Sequence, residues 1–194
     1  MQKSEKTIIK HIPDFLEYLE IEKGSADKTQ ENYSRYLDKF VRWLRDSNLE
    51  DLKPHELTSE HIWKYRVFLS RSPIVGKGRP LKKKSQNYYL IALRNLLSYF
   101  TDRDIQSLPA DKVKLAKDKS GQSVKFLTLD QVEKLLLSPA LDTQSGLRDR
   151  AILETLYSTG MRRKELIGLR LFDIDVERGT VMIRLGKGKK DRPI

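Results

Sequence analysis

The chain has no cysteine, only three histidines, and no hydrophobic run long enough to span a bilayer. Without cysteine there is no disulfide framework, no thiolate nucleophile and no cysteine-based metal cluster. That fits a reducing compartment, and a cytoplasmic location is expected. The opening MQKSEKTIIKHI is too polar for a secretory signal, and no membrane partner is expected. In "HELTSEH", His55 and His61 are six residues apart. A zinc-protease helix needs a spacing of four to put both rings on one face, so no metal site is expected. The G-x-x-x-x-G-K-[ST] loop is missing too, so "GKGRPLKKKS" is not a nucleotide cradle. No Ser/His/Asp arrangement stands out, and no cofactor is expected.

Negative charge is also scarce. Against 38 Lys and Arg stand 27 Asp and Glu, a formal charge of +11 in 194 residues. A surface this basic attracts polyanions, of which nucleic acid is the commonest. The other reading is a solvated or ribosome-associated basic surface, so the placement of the charge has to decide.

The first hundred residues read as four helices. "IPDFLEYLEIE" puts Ile12, Phe15, Leu16 and Leu19 on one stripe, and Gly24-Ser25 breaks it. "DKTQENYSRYLDKFVRWL" repeats the pattern with Tyr33, Leu37, Phe40, Val41 and Leu44, while Lys28, Arg35, Lys39 and Arg42 share the other side. "TSEHIWKYRVFLS" follows Pro54. The loop "PIVGKGRPLKKKSQ" then carries Lys77, Arg79, Lys82, Lys83 and Lys84 without an acid. It leads into "SQNYYLIALRNLLSYF", with Tyr89, Ala92, Leu93, Leu96 and Phe100 as its apolar stripe. Short connections between striped helices predict a bundle.

From residue 106 to 124 the apolar pattern fades into a lysine-rich stretch, predicted to be a linker between domains at 1–105 and 125–194. In the second domain Thr128 and Gln131 have capping-box spacing. "LRDRAILETLYSTG" is a striped helix ended by Gly160, and "RKELIGLR" is a short one. The period then switches to two: "FDIDV", the turn "ERG", and "TVMIRL" predict a hairpin, "GKGK" a further turn, and "DRPI" a third strand. The sheet looks cut short, as if the chain stopped inside a domain.

What chemistry remains belongs to arginine and lysine. In "STGMRRKEL", Arg162 follows a helix-ending glycine and Glu165 lies three residues on. A guanidinium at such a bend can fork onto two phosphate oxygens, with the carboxylate holding it. A surface Arg/Glu pair of little energetic worth would look the same in sequence. Lys187 sits between two glycines, either reaching a ligand or forming a solvated turn.

The order helix-bend arginine, β-hairpin, turn lysine resembles the tyrosine recombinase family, the phage-integrase and Xer-type enzymes. The likeness covers essentially the whole chain, above all "KTQENYSRYLDKFVRWL", "KSQNYYLIALRNLLSYF" and, most specifically, the run from Leu156 to Arg192. It implies a mainly α chain: a four-helix, SAM-like core-binding domain, then the first, α+β half of a catalytic domain with a small antiparallel sheet. In that family a tyrosine attacks a DNA phosphodiester, forming a 3′-phosphotyrosyl link and freeing a 5′-hydroxyl, with neither metal nor cofactor.

By position, Arg162 matches the first catalytic arginine, Glu165 its supporting acid, and Lys187 the hairpin lysine that protonates the leaving oxygen. The family's His-x-x-Arg motif and tyrosine nucleophile have no match here, so the chain is expected to hold half an active site and to be inactive alone. The resemblance also implies that the starts of the second and fourth helices approach the major groove. That nominates Lys28, Thr29, Asn32 and Arg35, then Lys83, Lys84, Ser85, Asn87 and Tyr88. Lysine and arginine there would hold phosphates, and Asn32 and Asn87 would read base edges. The implied partner is double-stranded DNA bearing inverted-repeat recombination sites. Family members act as tetramers on DNA, and this chain is expected to be monomeric without it. A non-catalytic protein occupying such sites, and a basic helical adaptor with no DNA role, are the alternatives.

Overall fold

The computed structural model describes residues 1–72, 80–116, 126–184 and 191–194. Lys77, Arg79, Lys187 and the later part of the expected linker lie outside the described residues. The chain divides into two compact units, residues 1–121 and 122–194. Among the described residues no helix is long and apolar enough to cross a membrane.

The first unit is built from α1 (Ile8–Ile21), α2 (Asp27–Asp46), α3 (Ser59–Arg71) and α4 (Lys83–Asp102). Threonines start two of them. The Thr7 hydroxyl accepts the Lys10 N–H, and Thr58 accepts the His61 N–H while His61 Nδ1 takes the Thr58 N–H in return. His61 is thus a capping residue. The stripes legible in the sequence turn inward: Phe15, Leu37, Phe40, Leu44, Tyr65, Leu69, Leu93, Leu96 and Phe100 have no exposed surface. Each such side chain contributes about 1.5–3 kcal/mol on burial. Helix α4 packs on all three of the others and is the spine of the unit. Phe40, Trp43 and Tyr65 form an aromatic cluster, with the Phe40 and Tyr65 rings edge to face at 4.9 Å.

The stretch after α4 is not a free tether where it is described. Val113 is fully buried, and Ile105, Leu108, Ala110 and Leu115 pack against the four-helix core. Pro109 and the 3-10 turn Ala110–Lys112 space these apolar residues without a regular period, so periodicity missed them. The Asn87 side chain fastens the end of this stretch: Nδ2 donates to the Ala116 carbonyl at 3.0 Å and Oδ1 accepts the Ala116 N–H at 2.9 Å.

The second unit has α5 (Leu129–Leu137), α6 (Gln144–Thr159) and α7 (Arg163–Ile167), followed by β1 (Ile174–Asp175), β2 (Thr180–Ile183) and β3 (Arg192–Pro193). Thr128 and Gln131 form the reciprocal cap that their spacing predicts. Gly160 closes α6 in the left-handed region, with φ at 60°, a conformation that favours glycine. The strands form one antiparallel sheet in the order β1-β2-β3, with Ile174 opposite Val181 and Ile183 opposite Arg192. The fold is thus mainly helical with a small antiparallel sheet. Its hydrophobic core in this unit is slight: Met161 and Ile183 are buried, while Leu129, Leu137, Leu171, Phe172 and Val176 stay exposed.

Candidate active site and nucleic-acid interface

Arg162 occupies the bend between α6 and α7. Its extended backbone, with φ −75° and ψ 147°, makes it the residue that precedes α7. Glu165, at the third helical position, reaches back as half of a capping box: Oε2 accepts the Arg162 backbone N–H at 2.8 Å. Oε1 accepts from Arg162 Nη1 at 3.0 Å. The other end of the carboxylate's capacity goes to β3. Arg192 Nη1 donates to Oε1 at 3.1 Å and Nη2 to Oε2 at 3.0 Å, a fork across both oxygens.

The Glu165 side chain is 7% exposed, whereas that of Arg162 is 59% exposed. The acid is therefore enclosed and saturated while the guanidinium faces solvent. The Arg192 hydrogen bonds, then the Arg162 backbone N–H, pull the Glu165 carboxyl down to about 2. A second carboxylate repeats the arrangement. Asp173 accepts the Arg170 N–H at 3.2 Å and Arg184 Nε at 2.5 Å. Its side chain is almost wholly enclosed, and Arg184 holds its carboxyl below the usual range. That pair ties β2 to the turn before β1.

In the first unit the nominated residues fall into two groups. Thr29 shares a groove with Tyr33, Asn95, Ser98 and Asp102, against the C-terminal half of α4. Lys83, Lys84 and Ser85 start that helix, about 20 Å away along its axis. The two helices run antiparallel, so their first turns do not meet as a single reading head. What comes together is the middle of α2 with the start of α4: the Tyr36 and Tyr88 rings lie stacked at 6.0 Å and 9°, and Arg35 lies 5.3 Å from the Tyr36 ring. Lys28 is engaged with Glu31, and the Asn32 side-chain oxygen accepts from Arg35 Nη2 at 3.1 Å.

Asn87 is held inside the fold: its amide bonds Ala116 at both ends, so only its second N–H and the second lone pair of its oxygen remain for a base edge. Lys83 and Lys84 are exposed, with no ion pair among the described residues. No acid lies in the first turn of α4, so lysines crowd the positive end of a helix dipole.

Comparison with known proteins follows the same division. Residues 12–104 match the phage integrase N-terminal SAM-like domain, and residues 125–194 match the phage integrase family. The chain belongs to the phage integrase family. It is 34% identical to the tyrosine recombinase XerC of Thermodesulfovibrio yellowstonii over 183 residues, which is 94% of this chain and 56% of that protein. It is 35% identical to the tyrosine recombinase XerD of Listeria innocua over 184 residues, 94% of this chain and 59% of that one. The chain thus spans less than two-thirds of the length of these relatives. The integrase of transposon Tn1549, solved in complex with a circular intermediate DNA, shares the fold with a TM-score of 0.65 at 16% identity, over 97% of this chain and 57% of that one.

Two features of this phage-integrase chain escaped the sequence reading. Arg192 was given no role, because a partner 27 residues away in sequence leaves no local spacing signal. Trp63 was not singled out; it is 64% exposed, in a groove shared with Arg66, Lys83 and Gln86 and lined by no carboxylate among the described residues.

Proposed function

We propose that this chain binds duplex DNA through the face around Arg35, Tyr36, Lys83, Lys84 and Tyr88, and contributes Arg162, Glu165 and Lys187 to strand cleavage and rejoining in a tyrosine-class site-specific recombinase. The observation that carries the reading is the Arg162–Glu165 pair: an enclosed acid gripping an exposed guanidinium at a bend. Such a guanidinium can stabilise charge growing on the non-bridging oxygens as a phosphodiester is attacked. Lys187 would supply the proton to the departing 5′-oxygen. The lysines at the start of α4 break the dipole rule, and a bound phosphate backbone would relieve that cost. Trp63, beside Lys83, extends the same face with an aromatic surface.

The test is one reaction run on two gels. The chain is mixed with nicked duplexes carrying candidate recombination sites, and each sample is split between a native and a denaturing gel. A native shift without a denaturant-stable adduct supports DNA binding with the nucleophile supplied from outside these 194 residues. An adduct would mean that a tyrosine within this chain attacks the phosphate. No shift at low salt, with specific or random duplex, would overturn the reading in favour of an adaptor with no DNA role.

A further inference from the structure

Glu165 is shared by two guanidinium groups, and they use it differently. Arg192 lays both terminal nitrogens across both carboxylate oxygens. Arg162 makes a single side-chain bond through Nη1, and its other tie to the acid is through the backbone N–H. A carboxylate facing one arginine alone would take the fork itself and cancel its charge. With two arginines on one acid, the cluster keeps one net positive charge. The forked partner is Arg192, on β3, so the spare charge and the spare N–H donors belong to Arg162.

We propose that Arg192 is a positioning residue: by occupying both oxygens of Glu165 it leaves the Arg162 guanidinium singly tethered, cationic and open to a phosphate. This rests on the reading above that Arg162 engages a phosphodiester. It also links β3, which follows the segment carrying Lys187 in sequence, to the bend that carries Arg162. Arg192 itself need not touch DNA.

The experiment uses the chain labelled with [15N]arginine and [13C]glutamate, titrated with dimethyl phosphate as the probe. Wild type, R192K and R192Q are compared, with amide spectra checking that each variant folds. The Arg162 Nε–H signal should shift saturably in wild type. R192Q, which can still hydrogen-bond but lacks charge, should weaken that response about tenfold, the scale of one charge-assisted contact. R192K should recover part of it, because a lysine restores the charge beside Glu165 but cannot fork across both oxygens. A wild-type response in R192Q, or equal weakening in R192K and R192Q, would overturn the proposal.

If Arg162 ignores the probe even in wild type, the phosphate reading fails instead. The Glu165 carboxyl titration then decides the role of Arg192. A midpoint raised in R192Q and partly restored in R192K sustains it, and an unmoved midpoint ends it.

Discussion

The side-chain amide of Asn87 pairs with the backbone of Ala116 as one strand residue pairs with another, Nδ2 donating to the carbonyl and Oδ1 accepting the N–H. This holds the stretch after α4 against the start of that helix. Replacing Asn87 with alanine strands both backbone groups, so N87A should lose about 1–3 kcal/mol of stability in urea unfolding. Its affinity for duplex DNA should barely change. A large loss of affinity with unchanged stability would return Asn87 to the DNA face.

The acid limb of stability should depend on Glu165. Its folded carboxyl sits at about 2, below an ordinary value of 4.5, chiefly because Arg192 holds the charged form. A group depressed on folding stabilises above its unfolded value and loses that contribution as pH falls through its folded value. Wild type should therefore weaken between about pH 4.5 and 2, with E165Q flatter over the same window. Circular dichroism of both proteins against pH gives the answer, and parallel curves would count against the buried charge.

DNA affinity should fall steeply with salt, since most of the face offers charge rather than base-reading groups. Each phosphate contact adds about −0.9 to the slope of log K against log salt. Reversing Lys83 and Lys84 together should flatten that slope by about 2 if each meets a phosphate. An unchanged slope in K83E/K84E would place DNA elsewhere.

Trp43 is buried in the first unit and Trp63 is exposed beside Lys83, and these are the only two tryptophans of the chain. Duplex DNA should quench the red-shifted part of the fluorescence, and W63F should abolish the quench while Trp43 still reports folding. Quenching that persists in W63F would remove Trp63 from the interface.

Tyr65 is buried with no partner for its hydroxyl among the described residues. Burial pushes its ionisation up. An orphaned buried hydroxyl costs about 1–3 kcal/mol, so Y65F should stay folded and melt at the same temperature or higher. A clear drop would mean that the hydroxyl is satisfied by ordered water.

The sequence by itself determined the four helices of the first unit and the helix-to-strand change in the second. Helix stripes, caps such as Thr128–Gln131 and the glycine at 160 are local, and local spacing is what a one-dimensional pattern records. The Arg162–Glu165 pairing was legible for the same reason, since three residues make one turn.

Only tertiary structure decided the rest. Val113 is buried although its neighbours look like a tether, because its core is supplied by helices that precede it. Asn87 turns inward because Ala116 returns beside it, a relation that no helical period encodes. The antiparallel run of α2 and α4 sets Arg35 and Tyr36 beside Tyr88 and carries Thr29 to the far end. Arg192 reaches Glu165 across the sheet edge, and that meeting leaves Arg162 with a charge to spare. Hydrogen bonds between distant residues depend on how elements pack, and packing is the one quantity that spacing along a chain does not contain.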